Sequence, residues 1–181
     1  MGKVAGAILA GGKSSRMGED KARLRLEGRT LLQHMEAVLR RAGLESIYIS
    51  HPDFIPDETP RCGPLGGVYS ILKNVSRRHE HIIFVPIDMP DITPDAIAEL
   101  ISAPDEAPLV HFEGYKMPFR ISVGQNKVAE ELLKAGGDVS LGNLQDNISG
   151  CLRIKTDINQ NHFRNINTPE EWRAFSKEEL V

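Results

Sequence analysis

Val4-Ala5-Gly6-Ala7-Ile8-Leu9-Ala10-Gly11-Gly12 and His81-Ile82-Ile83-Phe84-Val85-Pro86-Ile87-Asp88 are the two runs that decide the fold. Each is a short, nearly continuous apolar stretch, the pattern of a strand buried on both faces of a parallel sheet. The first stops at paired glycines and the second at a carboxylate. Between them, Thr30 with Gln33 forms a capping box, and Leu31, Leu32, Met35, Val38, Leu39 and Ala42 make one helical stripe that Gly43 ends. Ser46 to Ser50 reads as a strand. Gly63-Pro64-Leu65-Gly66-Gly67 then opens a helix whose stripe is Val68, Ile71, Leu72 and Val75. Before the first of these helices, Arg23-Leu24-Arg25-Leu26 alternates like a short exposed strand that turns at Glu27-Gly28.

Past Asp88, Thr93-Pro94-Asp95 opens a helix with proline at its first position. Leu109 to Phe112 and Phe119 to Val123 read as strands around the Glu113-Gly114 turn. Asn126 to Ala135 reads as a helix and Leu152-Arg153-Ile154 as a strand. Thr168-Pro169-Glu170-Glu171 caps a terminal helix that carries Trp172 and Phe175. Strands alternating with helices predict an α/β fold: a mostly parallel central sheet with helices on both faces. At roughly 150 residues per domain, the chain reads as a single domain over residues 1–181.

Composition limits what such a fold can serve. The 22 Lys plus Arg against 25 Asp plus Glu give a net charge of −3, unlike the basic excess of a nucleic-acid binder. No window reaches the roughly 18 apolar residues needed to span a bilayer. The run after Lys3 is too short and too weakly basic for a secretory signal. With Gly6 in place of Ser or Thr, Met1-Gly2 does not start a myristoylation motif. Cys62 and Cys151 are far apart with no CxxC spacing and read as two reduced thiols in the cytoplasm. The six histidines show no metal spacing, and no Ser-His-Asp arrangement is legible.

In an open α/β sheet, ligands sit beyond the carboxyl ends of the strands, which is where the loop after Ala10 and the turn at Asp88 fall. The loop holds Gly11, Gly12, Lys13, Arg16 and Lys21, so free backbone N–H groups and positive charge suit a triphosphate. A solvated turn with scattered charges is the competing reading. Six basic residues lie between Lys13 and Arg29 against three acidic ones, a local basic excess in an acidic chain. Gly12-Lys13-Ser14 is not a Walker A loop, because that motif needs glycine where Ala7 stands, and no G-x-G-x-x-G is present. Asp88, at a strand end between Pro86 and Pro90, suits Mg²⁺ held mainly by substrate phosphates, whereas helix capping competes for Asp91. The Gly63 to Gly67 turn suits close packing or approach to a ligand. Asn165 and Asn167 point the same way if extended and can offer amides to a ligand; capping explains Thr168 and Glu171 but not Asn165.

Leu9-Ala10-Gly11-Gly12-x-Ser14-x-Arg16-Met17-Gly18-x-Asp20-Lys21 resembles the opening motif of the molybdenum cofactor guanylyltransferases, the MobA family of nucleotidyltransferases. Gly63-Pro64-Leu65-x-Gly67, Pro86-x-Asp88-x-Pro90, Pro118-Phe119 and Asn165-Ile166-Asn167-Thr168-Pro169-Glu170-Glu171 match later motifs in order, so the resemblance runs from Val4 to about Trp172. It implies a Rossmann-like nucleotidyltransferase fold that joins GMP from GTP to molybdopterin and releases pyrophosphate. Cytidylyl-transferring relatives usually carry Ala-Ala-Gly where this chain has Ala10-Gly11-Gly12. The resemblance further implies that Leu9, Ala10, Gly11, Gly12 and Lys21 bind GTP and that Asp88 binds both GTP and Mg²⁺. Asp57 matches an aspartate near the guanine. The family's asparagine near Ser50-His51 is missing, and Ile87 replaces a common cysteine. Lys21, Asp88 and Arg16 are the expected catalytic groups, with Asn165 and Asn167 in the binding set. Molybdenum cofactor biosynthesis and acceptor proteins are the implied partners. The alternatives are molybdopterin cytidylyl transfer, or a non-catalytic nucleotide or cofactor carrier.

Overall fold

The computed structural model describes residues 3–11, 20–59, 62–75 and 77–178. Its main sheet has six strands: β1 (Val4–Leu9), β4 (Ile47–Ser50), β5 (His81–Pro86), β6 (Leu109–Phe112), β7 (Phe119–Ser122) and β8 (Leu152–Ile154). Their order is β4-β1-β5-β7-β6-β8. β1 pairs in parallel with β4 and β5, β6 pairs in parallel with β8, and β7 runs antiparallel to both β5 and β6. A separate hairpin pairs β2 (Arg25–Leu26) with β3 (Arg29–Thr30). Its turn residues Glu27 and Gly28 both have positive φ, the requirement of the turn that matches strand twist.

The helices are α1 (Leu31–Arg41), α2 (Gly63–Asn74), α3 (Pro94–Ile101), α4 (Asn126–Ala135), α5 (Leu141–Asn147) and α6 (Pro169–Glu178). Both faces of the sheet are covered, and the alternation within the two deciding strands shows how. Ile8, Ile83 and Val85 pack with Met35, Val38 and Leu39 of α1 and Ile97 and Leu100 of α3. Ala5, Ala7, Leu9, Ile82 and Phe84 pack on the other side with Leu65, Val68 and Ile71 of α2, Ala129 of α4 and Leu144 of α5. The α1 capping box forms as expected: Thr30 Oγ1 accepts from Gln33 N, and Gln33 Oε1 accepts from Thr30 N. Thr93 caps α3 with one bond, its Oγ1 accepting from Ala96 N.

The structure differs from the sequence reading in three places. Arg23 to Leu26 is not one exposed strand. Lys21–Arg23 is a 3₁₀ turn capped by Asp20, whose Oδ1 accepts from Ala22 N at 3.0 Å, and Leu24 and Leu26 are buried. The helix α5 has no amphipathic signal, because Gly142 and two asparagines dilute it; its start is set by Ser140, which accepts from Asn143 N. Arg120 lies on β7 yet is fully buried. Its terminal guanidinium nitrogens donate to the carbonyls of Ala103 and Pro104, beyond the end of α3, while its buried Nε finds no partner, so backbone rather than water meets most of the charge.

A methyl group at Gly67 would lie 2.7 Å from Ser50 Oγ and 3.1 Å from Leu9 Cδ2, so Gly67→Ala makes these buried side chains shift where α2 meets the ends of β1 and β4. The expected loss is about 1–3 kcal/mol in urea unfolding. Burial, reinforced by the Arg120 charge, lowers the pKa of His81 below the ordinary value of 6.5. The unfolded chain therefore takes up this proton first as pH falls, and stability drops below about pH 6.5. His81→Leu should flatten that part of the stability–pH curve, measured by denaturant midpoints between pH 7 and 5.

Candidate active site

The chain leaves β1 through Leu9, Ala10 and Gly11, and these residues are pinned to their neighbours by the backbone. Leu9 O accepts from Ile87 N at 3.1 Å, and Ala10 N donates to Ser50 O at 3.0 Å. The ends of β1, β4 and β5 are thus held together at one edge, and two groups of side chains gather there.

The first group centres on Lys21 Nζ. It donates to Ile166 O at 2.8 Å and Asn167 Oδ1 at 3.0 Å, and it stands 3.5 Å from Asp88 Oδ2. The Lys21 side chain is 13% exposed and that of Asp88 23%, so the pair is largely withdrawn from solvent while still reachable. Asp88 is locked at its backbone as well, because its carbonyl accepts from Ile166 N at 2.8 Å. Ile166 is buried between two outward asparagines; Asn167 meets the lysine and Asn165 is exposed. The α6 capping box fixes this segment. Thr168 Oγ1 accepts from Glu171 N, and Glu171 Oε2 accepts from Thr168 N and, at 2.6 Å, from Asn167 N. Those backbone N–H groups hold the Glu171 carboxyl below the usual carboxylate range.

The second group lies at the start of α2. A Cβ on Gly66 would sit 2.6 Å from both carboxylate oxygens of Asp57, so Asp57 rests directly on the first turn of the helix. That position favours a carboxylate through the helix dipole. Asp57 Oδ1 also accepts from Thr59 N at 2.9 Å and Thr59 Oγ1 at 3.2 Å. Gly11 approaches Ser50 O, and Ser50 is buried against Gly67. The Gly66-Gly67 pair thus exists because Asp57, Ser50 and Leu9 occupy the space that side chains would need.

Of the residues singled out in the sequence, Lys21, Asp88 and Asn167 meet at one point. Leu9, Ala10, Gly11 and Asp57 line the adjoining edge, and Gly12 and Arg16 lie outside the described residues. The Ile166 carbonyl and the Ser50 and His51 side chains carry contacts that residue type did not advertise. Among the described residues, no group of three His, Cys, Asp or Glu could hold a metal by itself. A lone, partly exposed carboxylate beside a lysine fits a Mg²⁺ whose remaining ligands are phosphate oxygens and water.

Residues 6–150 match the family model of the MobA-like NTP transferase domain. The chain is 37% identical over 175 residues to a molybdenum cofactor guanylyltransferase from Xanthomonas euvesicatoria, covering 92% of this chain and 91% of that protein. It superimposes with a TM-score of 0.70 on a molybdopterin-guanine dinucleotide biosynthesis protein A from Archaeoglobus fulgidus, at 16% identity and covering 96% of this chain and 97% of that one. A 4-diphosphocytidyl-2C-methyl-D-erythritol synthase from Anaerococcus prevotii superimposes with a TM-score of 0.76, at 13% identity and covering 98% and 97%. Proteins with different names share this fold, so the fold does not choose the reaction.

Asn167→Ala removes one of the acceptors of a mostly buried ammonium, and the expected cost is about 1–3 kcal/mol. Asn165→Ala, at an exposed position, should stay within about 0.5 kcal/mol. Urea midpoints of the two variants check the contrast.

Proposed function

Because the chain belongs to the MobA-like NTP transferase family, we propose that it transfers GMP from GTP to molybdopterin, releasing pyrophosphate and forming the guanine dinucleotide. The chain is a nucleotidyltransferase by family. The observation that carries it is the meeting of Lys21, Asp88 and Asn167 from three distant parts of the chain at the carboxyl ends of the strands. The name carried by the Xanthomonas relative supports guanylyl over cytidylyl transfer.

The chemistry follows from charge. The terminal phosphate of molybdopterin is ionised near pH 7 and attacks the α-phosphorus of GTP. A phosphorus–oxygen bond forms, the bond to the bridging oxygen of the β-phosphate breaks, and pyrophosphate leaves with the electron pair. No general base is needed. The protein's contribution is positioning and electrostatic stabilisation. Lys21 Nζ, already partly desolvated, faces the charge that grows on the transferred and leaving phosphates. Leu9, Ala10 and Gly11 form the floor under the nucleotide, and Asp57 stands where it can accept from the base. Asn167 and Asn165 offer amides to the bound ligand. Asp88 would hold Mg²⁺, which supplies neutralisation of phosphate charge when bound.

No helix among the described residues is long and apolar enough to cross a membrane. Together with two free cysteines, this supports placing the reaction in the cytoplasm, where other molybdenum cofactor biosynthesis and acceptor proteins would take the product.

The test is pyrophosphate release with molybdopterin and GTP, CTP or ATP, with and without Mg²⁺. GTP with Mg²⁺ should be the productive combination, and Asp88→Asn should lower the rate about a hundredfold or more. Equal use of CTP, or an Asp88→Asn rate unchanged at saturating Mg²⁺, overturns the assignment.

A further inference from the structure

The turn after β4 holds Asp20, beside Lys21, through contacts that the transfer chemistry does not use. His51 is 8% exposed, and both ring nitrogens are engaged. Nδ1 accepts from Asp53 N at 3.2 Å, which assigns the proton to Nε2. Nε2 in turn donates to Asp20 Oδ2 at 3.0 Å. The two oxygens of Asp20 therefore divide their work. Oδ2 is held by His51, while Oδ1 caps the 3₁₀ turn through Ala22 N at 3.0 Å. Lys21 is the first residue of that turn. Arg23 adds ion pairs to Asp20 at 3.4 Å and Asp53 at 3.3 Å, but its side chain is 73% exposed, so these contribute little. The buried imidazole is the stronger half of the brace.

We propose that His51 is a positioning residue for Lys21. Its Nε2–H fixes the Asp20 carboxylate, and that carboxylate sets the turn from which Lys21 Nζ reaches Ile166 O, Asn167 Oδ1 and Asp88. The catalytic consequence rests on the nucleotidyl-transfer reading, but the geometric one does not. A purely space-filling role against the Phe54 ring, whose centroid lies 6.1 Å from that of the imidazole, is the competing account.

Three substitutions separate them. Glutamine places an amide nitrogen where imidazole Nε2 stands, asparagine reaches only as far as Nδ1, and leucine fills the space with no donor. The first readout needs no nucleotide: the rate at which an amine-acylating reagent modifies Lys21, followed by mass spectrometry. His51→Asn and His51→Leu should speed modification about tenfold, whereas His51→Gln stays near the wild-type rate. The second is GTP-dependent pyrophosphate release. Asparagine and leucine should lower kcat about tenfold to a hundredfold with a smaller change in KM, and glutamine should rescue it. In an Asp20→Asn background, His51→Leu should add no further loss. If leucine unfolds the protein, the asparagine–glutamine pair still decides. Equal behaviour of asparagine and glutamine, a better asparagine than glutamine, or additive losses with Asp20→Asn would overturn the proposal. Lys21 modification that follows the expected order in a protein that releases no pyrophosphate from GTP would overturn the functional reading and leave the positioning role standing.

Discussion

An ammonium group that is mostly withdrawn from water must find acceptors nearby, and Lys21 Nζ finds three from two segments that lie far from it along the chain. One is a carboxylate at the end of β5, one a backbone carbonyl and one a side-chain amide from the approach to α6. The lysine itself arrives on a turn capped by Asp20. Removing the cation would leave Asp88 without its counter-charge and take one partner from the Ile166 carbonyl and the Asn167 amide. The arrangement is held from behind at every point: Asp88 by Ile166 N, Asn167 by Glu171, and the turn by Asp20. The functional edge is therefore a small network whose members fix one another.

The second constraint is steric. Asp57, Ser50 and Leu9 crowd the first turns of α2, and only glycine at positions 66 and 67 lets the helix come that close. Close approach brings the helix N-terminus to the ends of β1 and β4. A backbone without side chains, a helix dipole and a carboxylate then stand within one edge of the sheet, next to the cationic network. That neighbourhood comes from packing rather than from any single residue.

What was legible in the sequence was what depends on neighbours along the chain. The runs at Val4 and His81 read as doubly buried strands, and the pairs Thr30–Gln33 and Thr168–Glu171 read as capping boxes, because each is a local pattern with a local cause. Lys21 and Asp88 were legible as types in suggestive places. That they share Asn167 and the Ile166 carbonyl was not, since only the tertiary fold brings residues so distant together. The antiparallel insertion of β7 left no trace, because its pattern is that of any short strand. Arg120 is hidden for a related reason: a charged residue reads as surface until the carbonyls beyond α3 are seen to receive it. The short helix α5 depends on Ser140 and on packing against α2 and α4 rather than on its own periodicity.

The bond from Lys21 to Ile166 closes a loop of 145 residues, whereas the hydrophobic pairing of β1 with β4 and β5 needs nothing from that distant segment. A molecule nicked between β8 and Asn165 could keep its layered core while the ammonium swings free. Resistance to proteolysis at this late crossing would then be a sharper index of a competent preparation than helical content, because the spectrum of such a damaged molecule would barely change.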